Sequence, residues 1–303
     1  MMLASRSDWG RQAISESLRC VVASRDVLGE GPCWVEADQR LYWFDILRAK
    51  LLWFEPASGQ SGGFVLPMRA SAAAPRVGGG LIAATDIGLA HIDTATGSAT
   101  LIKRFRFPKG FRTNDGKIDP LGRFWWSTMD ENGGKRRGHI YVTLPNGRTK
   151  RRLGGIAIAN TLACSADGAT FYLADSVRQT VTAYDIHPKS AALKKPRLFT
   201  HTIDSPASPD GSAVDVEGYL WNAQWDAWRI VRYAPDGRID RIVETPISRP
   251  TSCAFGGPDL ATLYVTSARD NLPAVELARQ PLAGGLFAFE PGVRGLALPT
   301  FNG

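Results

Sequence analysis

Four oxygen-bearing side chains recur at one spacing along this chain of 303 residues. Asn114 lies eight residues before Gly122, Asn160 eight before Gly168 and Asp210 eight before Gly218; Glu30 lies eight before Asp38, the turn position of the first copy. Carboxylate and carboxamide oxygens suit a hard divalent cation. Two carboxylates would only neutralise such an ion, leaving it Lewis-acidic toward a carbonyl or water. Taken singly, the same residues fit ordinary turns: Asn114-Asp115-Gly116, Asp210-Gly211, and Glu30 within Gly-Glu-Gly-Pro. Asn160 is followed by Thr-Leu-Ala-Cys, which turn propensity does not explain. The common register therefore points to one site on which several strands converge.

The elements that would position these side chains repeat with them. A turn followed by an aromatic or aliphatic run recurs at Arg40-Leu-Tyr-Trp, Gly80-Leu-Ile-Ala, Gly122-Arg-Phe-Trp, Gly168-Ala-Thr-Phe-Tyr, Gly218-Tyr-Leu-Trp and Ala261-Thr-Leu-Tyr-Val. Copies roughly 40 to 50 residues apart match the period of four-stranded propeller blades. Six copies predict an all-β fold, a six-bladed β-propeller of four-stranded antiparallel blades. A radial arrangement shields all but short edges, which suits strands this short and numerous. Ring closure requires the strand near Leu18 to Val22 to complete the last blade beside Gly285-Leu-Phe-Ala-Phe-Glu. Residues 17–303 then form one domain, with 1–16 as a partly ordered lead-in; stacked β-sandwiches are the alternative. The two remaining blades place Ala72 and Ser252 at the matching position, too small for strong ligands and leaving a gap in the ring of donors.

Composition agrees with short strands and tight turns: 31 Gly, 19 Pro and nine Trp. No apolar run reaches the roughly 18 residues of a membrane span, and the N-terminus lacks a signal-peptide core, so a soluble, cytoplasmic protein is expected, with no membrane partner. The four cysteines form no Cys-x-x-Cys pair and read as free thiols in strands. A net charge of +7 raises nucleic-acid binding. The basic clusters Lys135-Arg136-Arg137, Lys150-Arg151-Arg152 and Lys194-Lys195 fall where turns are expected, and no nucleic-acid motif surrounds them, so solvated loop tips are the reading. Gly59-Gln60-Ser61-Gly62-Gly63 matches a nucleophile elbow in form but has no following helix. The four histidines show no metal or triad spacing.

The phrases Leu28-Gly-Glu-Gly-Pro-Cys-Trp, Arg112-Thr-Asn-Asp-Gly-Lys-Ile-Asp-Pro-Leu-Gly-Arg-Phe, Ile158-Ala-Asn-Thr-Leu and Pro209-Asp-Gly-Ser-Ala-Val-Asp-Val-Glu-Gly-Tyr-Leu-Trp, in this order, carry a resemblance. Over nearly its full length the chain resembles the SMP-30/gluconolactonase (senescence marker protein 30, regucalcin) family. The resemblance implies a six-bladed propeller with one divalent cation (Ca, Zn, Mn, Mg or Fe) held by Glu30, Asn160 and Asp210. It further implies Asp210 as catalytic acid/base and Arg112 and Asn114 as substrate-binding residues, with Asn114 near the metal in some relatives. The expected activity is hydrolysis of a sugar (aldono-) lactone such as glucono-, xylono- or arabinonolactone to the aldonic acid, by a monomer acting on a small molecule. A metal-dependent aryl ester or organophosphate hydrolase and a non-enzymatic calcium-binding propeller are the alternatives. The chain departs from the animal members on the loop after Thr-Met: an ungapped count puts Asn132 where they place a glutamate, with Glu131 beside it.

Overall fold

The computed structural model describes residues 18–303; the expected lead-in, residues 1–16, lies outside them. The described chain forms six four-stranded antiparallel sheets. Their innermost strands are Gly29–Val35, Ala70–Pro75, Phe111–Ile118, Ala159–Cys164, Ser208–Val214 and Pro250–Gly256, in blades 1 to 6. Each runs into a second strand that begins at one of the six repeated phrases, from Arg40–Asp45 in blade 1 to Thr262–Ser267 in blade 6. Blade 6 has three strands of its own, and Arg19–Val22 pairs with Leu286–Phe289 as the fourth. The expected closure is therefore present: Leu286–Phe289 is paired on both sides, and Arg19–Val22 becomes the short outermost strand of the blade. Among the described residues the one α-helix, Ala274–Arg279, is short, and no helix is long and apolar enough to cross a membrane.

The repeated phrase has a physical basis in a buried aspartate. Asp119 Oδ1 accepts the turn N–H groups of Leu121 and Arg123, and its Oδ2 accepts Trp125 Nε1 at 2.7 Å and Arg123 Nε at 2.5 Å. Asp215 repeats this in blade 5, accepting the Glu217 and Tyr219 N–H groups, Trp221 Nε1 at 2.9 Å and Arg232 at 2.8 Å. One carboxylate thus ties a turn to the aromatic core six residues on. Blade 4 changes both ends together: Ser165 replaces the aspartate and Phe171 the tryptophan, and Asp167 caps the turn through Ala169 N. The tryptophans and their neighbours fill the seams between blades. Trp126 packs with Ile82 and Leu89 of blade 2, whereas Trp125 packs with Phe171 of blade 4.

The basic clusters are placed differently from expectation. Lys135-Arg136-Arg137 does lie in a loop, but Lys150-Arg151-Arg152 sits within the strand Thr149–Ile156 and Lys194-Lys195 within Leu193–His201. Both are outermost strands, where charge blocks pairing with another chain. Ser61 also lies exposed on an outermost strand, Gln60–Val65, so no nucleophile elbow forms. All four cysteines are free; Cys253 is fully buried and the others partly.

Asp215 and Arg232 form a buried pair, with side chains 0% and 5% exposed. Asp215→Ala would strip the acceptor from Trp221 Nε1 and two turn N–H groups, while Arg232 keeps Glu217 and Asp240, and should destabilise the fold by about 2–4 kcal/mol. The readout is the urea midpoint at constant m-value. A loss under about 1 kcal/mol, the scale of an ordinary surface change, would contradict this account of the repeat.

Candidate functional site

The polar residues singled out by spacing lie in strands with a bulge, not in turns. In blade 1 the inner strand pairs Glu30 with Phe44 and next Cys33 with Tyr42, so one residue is extra. Blade 4 repeats this between Asn160 and Ala163. In blades 3 and 5 the extra residue falls between Thr113 and Gly116 and between Pro209 and Ser212. Glu30 and Asn160 are thus the last paired residues before a bulge, whereas Asn114 and Asp210 lie inside one. A bulge re-aims a side chain and ends regular pairing, and the four side chains line one pocket with Arg112. Glycine is required at Gly31, where φ is +59° and a Cβ would meet Ser71 O at 2.4 Å. Blade 4 solves the same bend with Thr161 at φ +75° and Leu162 at +27°, conformations rare for branched side chains.

Hydroxyl groups hold the bulges against one another. Thr161 Oγ1 donates to Asp210 O at 2.8 Å, Ser71 Oγ reaches Asn114 O at 2.6 Å and Thr251 Oγ1 reaches Gly29 O at 2.5 Å. The blades of Ala72 and Ser252 supply no ligand-like side chain at the counted position; both residues are fully buried. Their neighbours Ser71 and Thr251 serve as these braces. Spacing arithmetic missed them because it looked for donors aimed at the channel.

Hydrogen bonds define which way each amide faces. Arg112 Nη1 donates to Asn114 Oδ1 at 2.6 Å, and Asn114 Nδ2 donates to Ala159 O at 3.0 Å and Asn160 Oδ1 at 2.7 Å. Arginine is donor-only and a carbonyl acceptor-only, so the Asn114 amide cannot be reversed. Asn160 Nδ2 donates to Ser176 Oγ at 3.0 Å, and Ser176 spends its proton on Pro209 O at 2.7 Å. That chain turns the Asn160 oxygen to the opposite side, the side of Asn114. Ser176 carries no motif, and its only sequence signal is its place one residue after the second strand of blade 4.

The electrostatics are those of acid groups buried together. Burial and the charge of Asp115 push the Glu30 carboxyl up to about 8. Burial, then Glu30 and Asp115, hold Asp210 well above the usual carboxylate range. Asp210 Oδ1 and Asp115 Oδ2 are buried and accept no hydrogen bond. Arg112, itself pulled down by burial, is the cation that acts on both Glu30 and Asp210. No cluster of three or more His, Cys, Asp or Glu side chains able to hold a metal is found among the described residues; the donor set here is two carboxylates and an amide oxygen. All three donors are hard oxygens, and an orphaned buried carboxylate oxygen is what a bound cation would satisfy. Glu30, Asn160 and Asp210 therefore fit a divalent ion.

The pocket holds about 280 Å³ and is walled by Leu28, Met129, Ile158, Val177 and Trp225. Of the two neighbours on the loop after Thr-Met, Glu131 faces the site. Its carboxylate pairs with Arg69 at 2.7 Å and comes within 3.9 Å of Arg112, whereas Asn132 turns away to Asp130 Oδ1 at 3.2 Å.

The raised Glu30 value has a consequence for stability. Between an ordinary glutamate's 4.5 and about 8, the folded protein holds a proton that the unfolded chain releases. That contribution is fully present below the lower value and is lost as pH rises through the upper one. Cation-free protein should therefore melt at falling temperature across this window. Added divalent ion should restore the alkaline side, and Glu30→Gln should flatten the slope. A cation-free melting curve independent of pH would refute the picture.

Comparison with known proteins places this geometry in context. The family model described as SMP-30/Gluconolactonase/LRE-like region matches residues 28–269. A 6-deoxy-6-sulfogluconolactonase of Pseudomonas putida is 36% identical over 296 residues, 96% of this chain and 100% of that protein. Regucalcin of Gallus gallus is 33% identical, over 95% of this chain and 99% of its own. The crystal structure of a calcium-binding protein, regucalcin, from Agrobacterium tumefaciens aligns with a TM-score of 0.89 at 32% identity, covering 94% of this chain and 97% of that one. With the family's model spanning five of its six blades and relatives matching it almost end to end, this chain belongs to the SMP-30/gluconolactonase family.

Proposed function

We propose that the protein is a carboxylic ester hydrolase that opens a sugar lactone to its aldonic acid. The observation that carries this reading is Asp210 Oδ1, a buried carboxylate oxygen left without a donor in a pocket that also presents an arginine. The similarity to a sulfogluconolactonase supports the same reaction class. The pocket, about 280 Å³, suits a monosaccharide-sized ligand.

Glu30, Asn160 and Asp210 would hold one divalent cation, of Ca, Mg, Mn, Zn or Fe(II), which oxygen donors alone do not separate. When bound, the ion supplies Lewis acidity toward the lactone carbonyl. The Asp210 carboxylate, which no protein side chain neutralises by contact, would take a proton from the attacking water with the oxygen not engaged by the ion and return it to the ring oxygen as the ester bond breaks. Arg112 uses one nitrogen to fix Asn114 and offers its remaining donors to the substrate's hydroxyls. Asn114 is held between Arg112 and Asn160 and so keeps the substrate side in register with the cation side. The reading includes a cytoplasmic, monomeric enzyme.

Proton release from a panel of glucono-, galactono-, xylono- and arabinonolactones, with chelator-stripped protein and single metals added back, tests the reaction. Fast hydrolysis restored by one ion is expected. Tight ion binding without lactone turnover would instead favour a non-enzymatic calcium-binding propeller; one structural relative is described as a calcium-binding protein. Turnover of aryl esters or phosphotriesters in place of lactones would move the chemistry.

Two substitutions separate the roles. Asp210→Ala should abolish turnover, and full activity in it would remove the assignment. Arg112→Ala should act mainly on KM, raising it about 10- to 100-fold, the value of a hydrogen bond to a charged group. Ser176→Ala removes one of the two bonds that orient the Asn160 amide and should weaken divalent-ion affinity by about 10-fold, the usual effect of losing a residue that orients a ligand. Calorimetric titration of the ion reads this without any substrate, and an unchanged affinity would show that Ser176 does not set the Asn160 amide, Asn114 alone sufficing.

A further inference from the structure

A second cavity, larger than the pocket around Asp210 and sharing no residue with it, lies at the other end of the channel. It holds about 640 Å³ and is walled largely by apolar side chains such as Ile118, Val214, Phe255 and Leu260. Residues 296–300 cross its mouth as a strap. The strap is tied at one end by the bridge between Asp215 and Gly295 and at the other by that between Arg76 and Phe301. Gly295 N donates to Leu260 O at 2.9 Å and Phe301 N to Pro75 O at 2.7 Å.

The charges around this chamber are unequal. Lys117 projects from the inner strand of blade 3 into the apolar wall, and its Nζ finds a weak partner, Cys253 O at 3.4 Å. No carboxylate of the described residues lies within ion-pair distance of it; its charge reaches Asp115 and Glu30 only through space. Arg76, at the rim, donates to Gly79 O and has a buried Nε with no acceptor and no acid partner among the described residues. The acids that line the chamber are Glu36, which is exposed, and Asp38, which already accepts the Tyr42 hydroxyl at 2.8 Å. An apolar cavity with an ammonium group on its wall and no acid paired to it complements one class of molecule.

We propose that this chamber binds an amphiphilic monoanion, a carboxylate on an apolar body, with the carboxylate on Lys117 and the body under the strap. The site is separate from the lactone pocket and its existence does not rest on the lactonase reading. A small apolar anion places its charge where the wall offers a donor, and its body covers wall that water otherwise wets. A cation of the same shape meets Lys117 as a like charge.

The test is a calorimetric titration of full-length protein with octanoate, 1-octanol and octylammonium, which share one chain and differ in head group. Octanoate should bind more tightly than octylammonium by about tenfold or more, the scale of one charge-assisted contact. Lys117→Met should reduce octanoate affinity to that of octanol, and Ala297→Trp, in the exposed strap, should weaken all three by filling the mouth. The second variant keeps the test valid if the first does not fold. Absence of octanoate binding, equal binding of octanoate and octylammonium, or affinity unchanged in both variants would overturn the proposal. So would competition between octanoate and an aldonolactone for the same site.

Discussion

The structure is organised around one unfavourable act, the burial of Glu30 and Asp210 side by side near the mouth of a channel. Each carboxylate loses water, and each feels the other acids in place of a paired cation. Groups so placed either take up protons or attract a positive ion. The neighbouring Arg112 relieves part of the repulsion, but it is committed to Asn114 and Thr113 O. What remains is a strong, local demand for positive charge, which protons meet in the cation-free protein and which a divalent ion with oxygen ligands would also meet.

Holding acids together against their repulsion requires a stiff frame, and the propeller supplies it in a specific way. The inner strands pack in a ring, and each bulge that carries a site residue exposes backbone carbonyls that regular pairing would have satisfied. Ser71, Thr161 and Thr251 answer these carbonyls from the adjoining strand. The left-handed backbone at Thr161 is kept by the same bond that fixes Asp210. Two blades that offer nothing to a cation therefore still matter, because the braces at Ser71 and Thr251 come from them.

Much of the fold was legible in the chain because its signal is repeated. A buried Asp that caps a turn and binds a Trp six residues later gives the same phrase in blades 3 and 5, and aromatic strands follow each copy. Convergence of Glu30, Asn114, Asn160 and Asp210 was legible for a subtler reason. Blades 1 and 4 have a turn one residue shorter than blades 3 and 5, and the site residue shifts by one bulge position to match, so a count of eight lands on the pocket in all four. What sequence did not reveal was bulge against turn, since Asn-Asp-Gly and Asp-Gly favour both. Nor did it reveal Ser176, Trp225 or the braces, whose roles arise from contacts between strands distant in the chain. Lys150 and Lys194 read as turn residues because solvated outer strands and loops share a composition.

A propeller's blades are equivalent by architecture, so function arises where they differ, and blade 3 differs most. Its inner strand, Phe111–Ile118, carries Arg112, Asn114, Asp115 and Lys117 in succession along the channel. Charge therefore alternates with depth: the arginine at the upper mouth, the acids at the middle, the lysine facing the lower chamber. In a low-dielectric channel such charges act on one another beyond contact distance. Lys117 favours the ionised forms of Glu30 and Asp115 from below, and Arg112 favours those of Glu30 and Asp210 from above. One strand thus sets charges of both signs along the channel, and the acids at its middle lie between a cation toward each end.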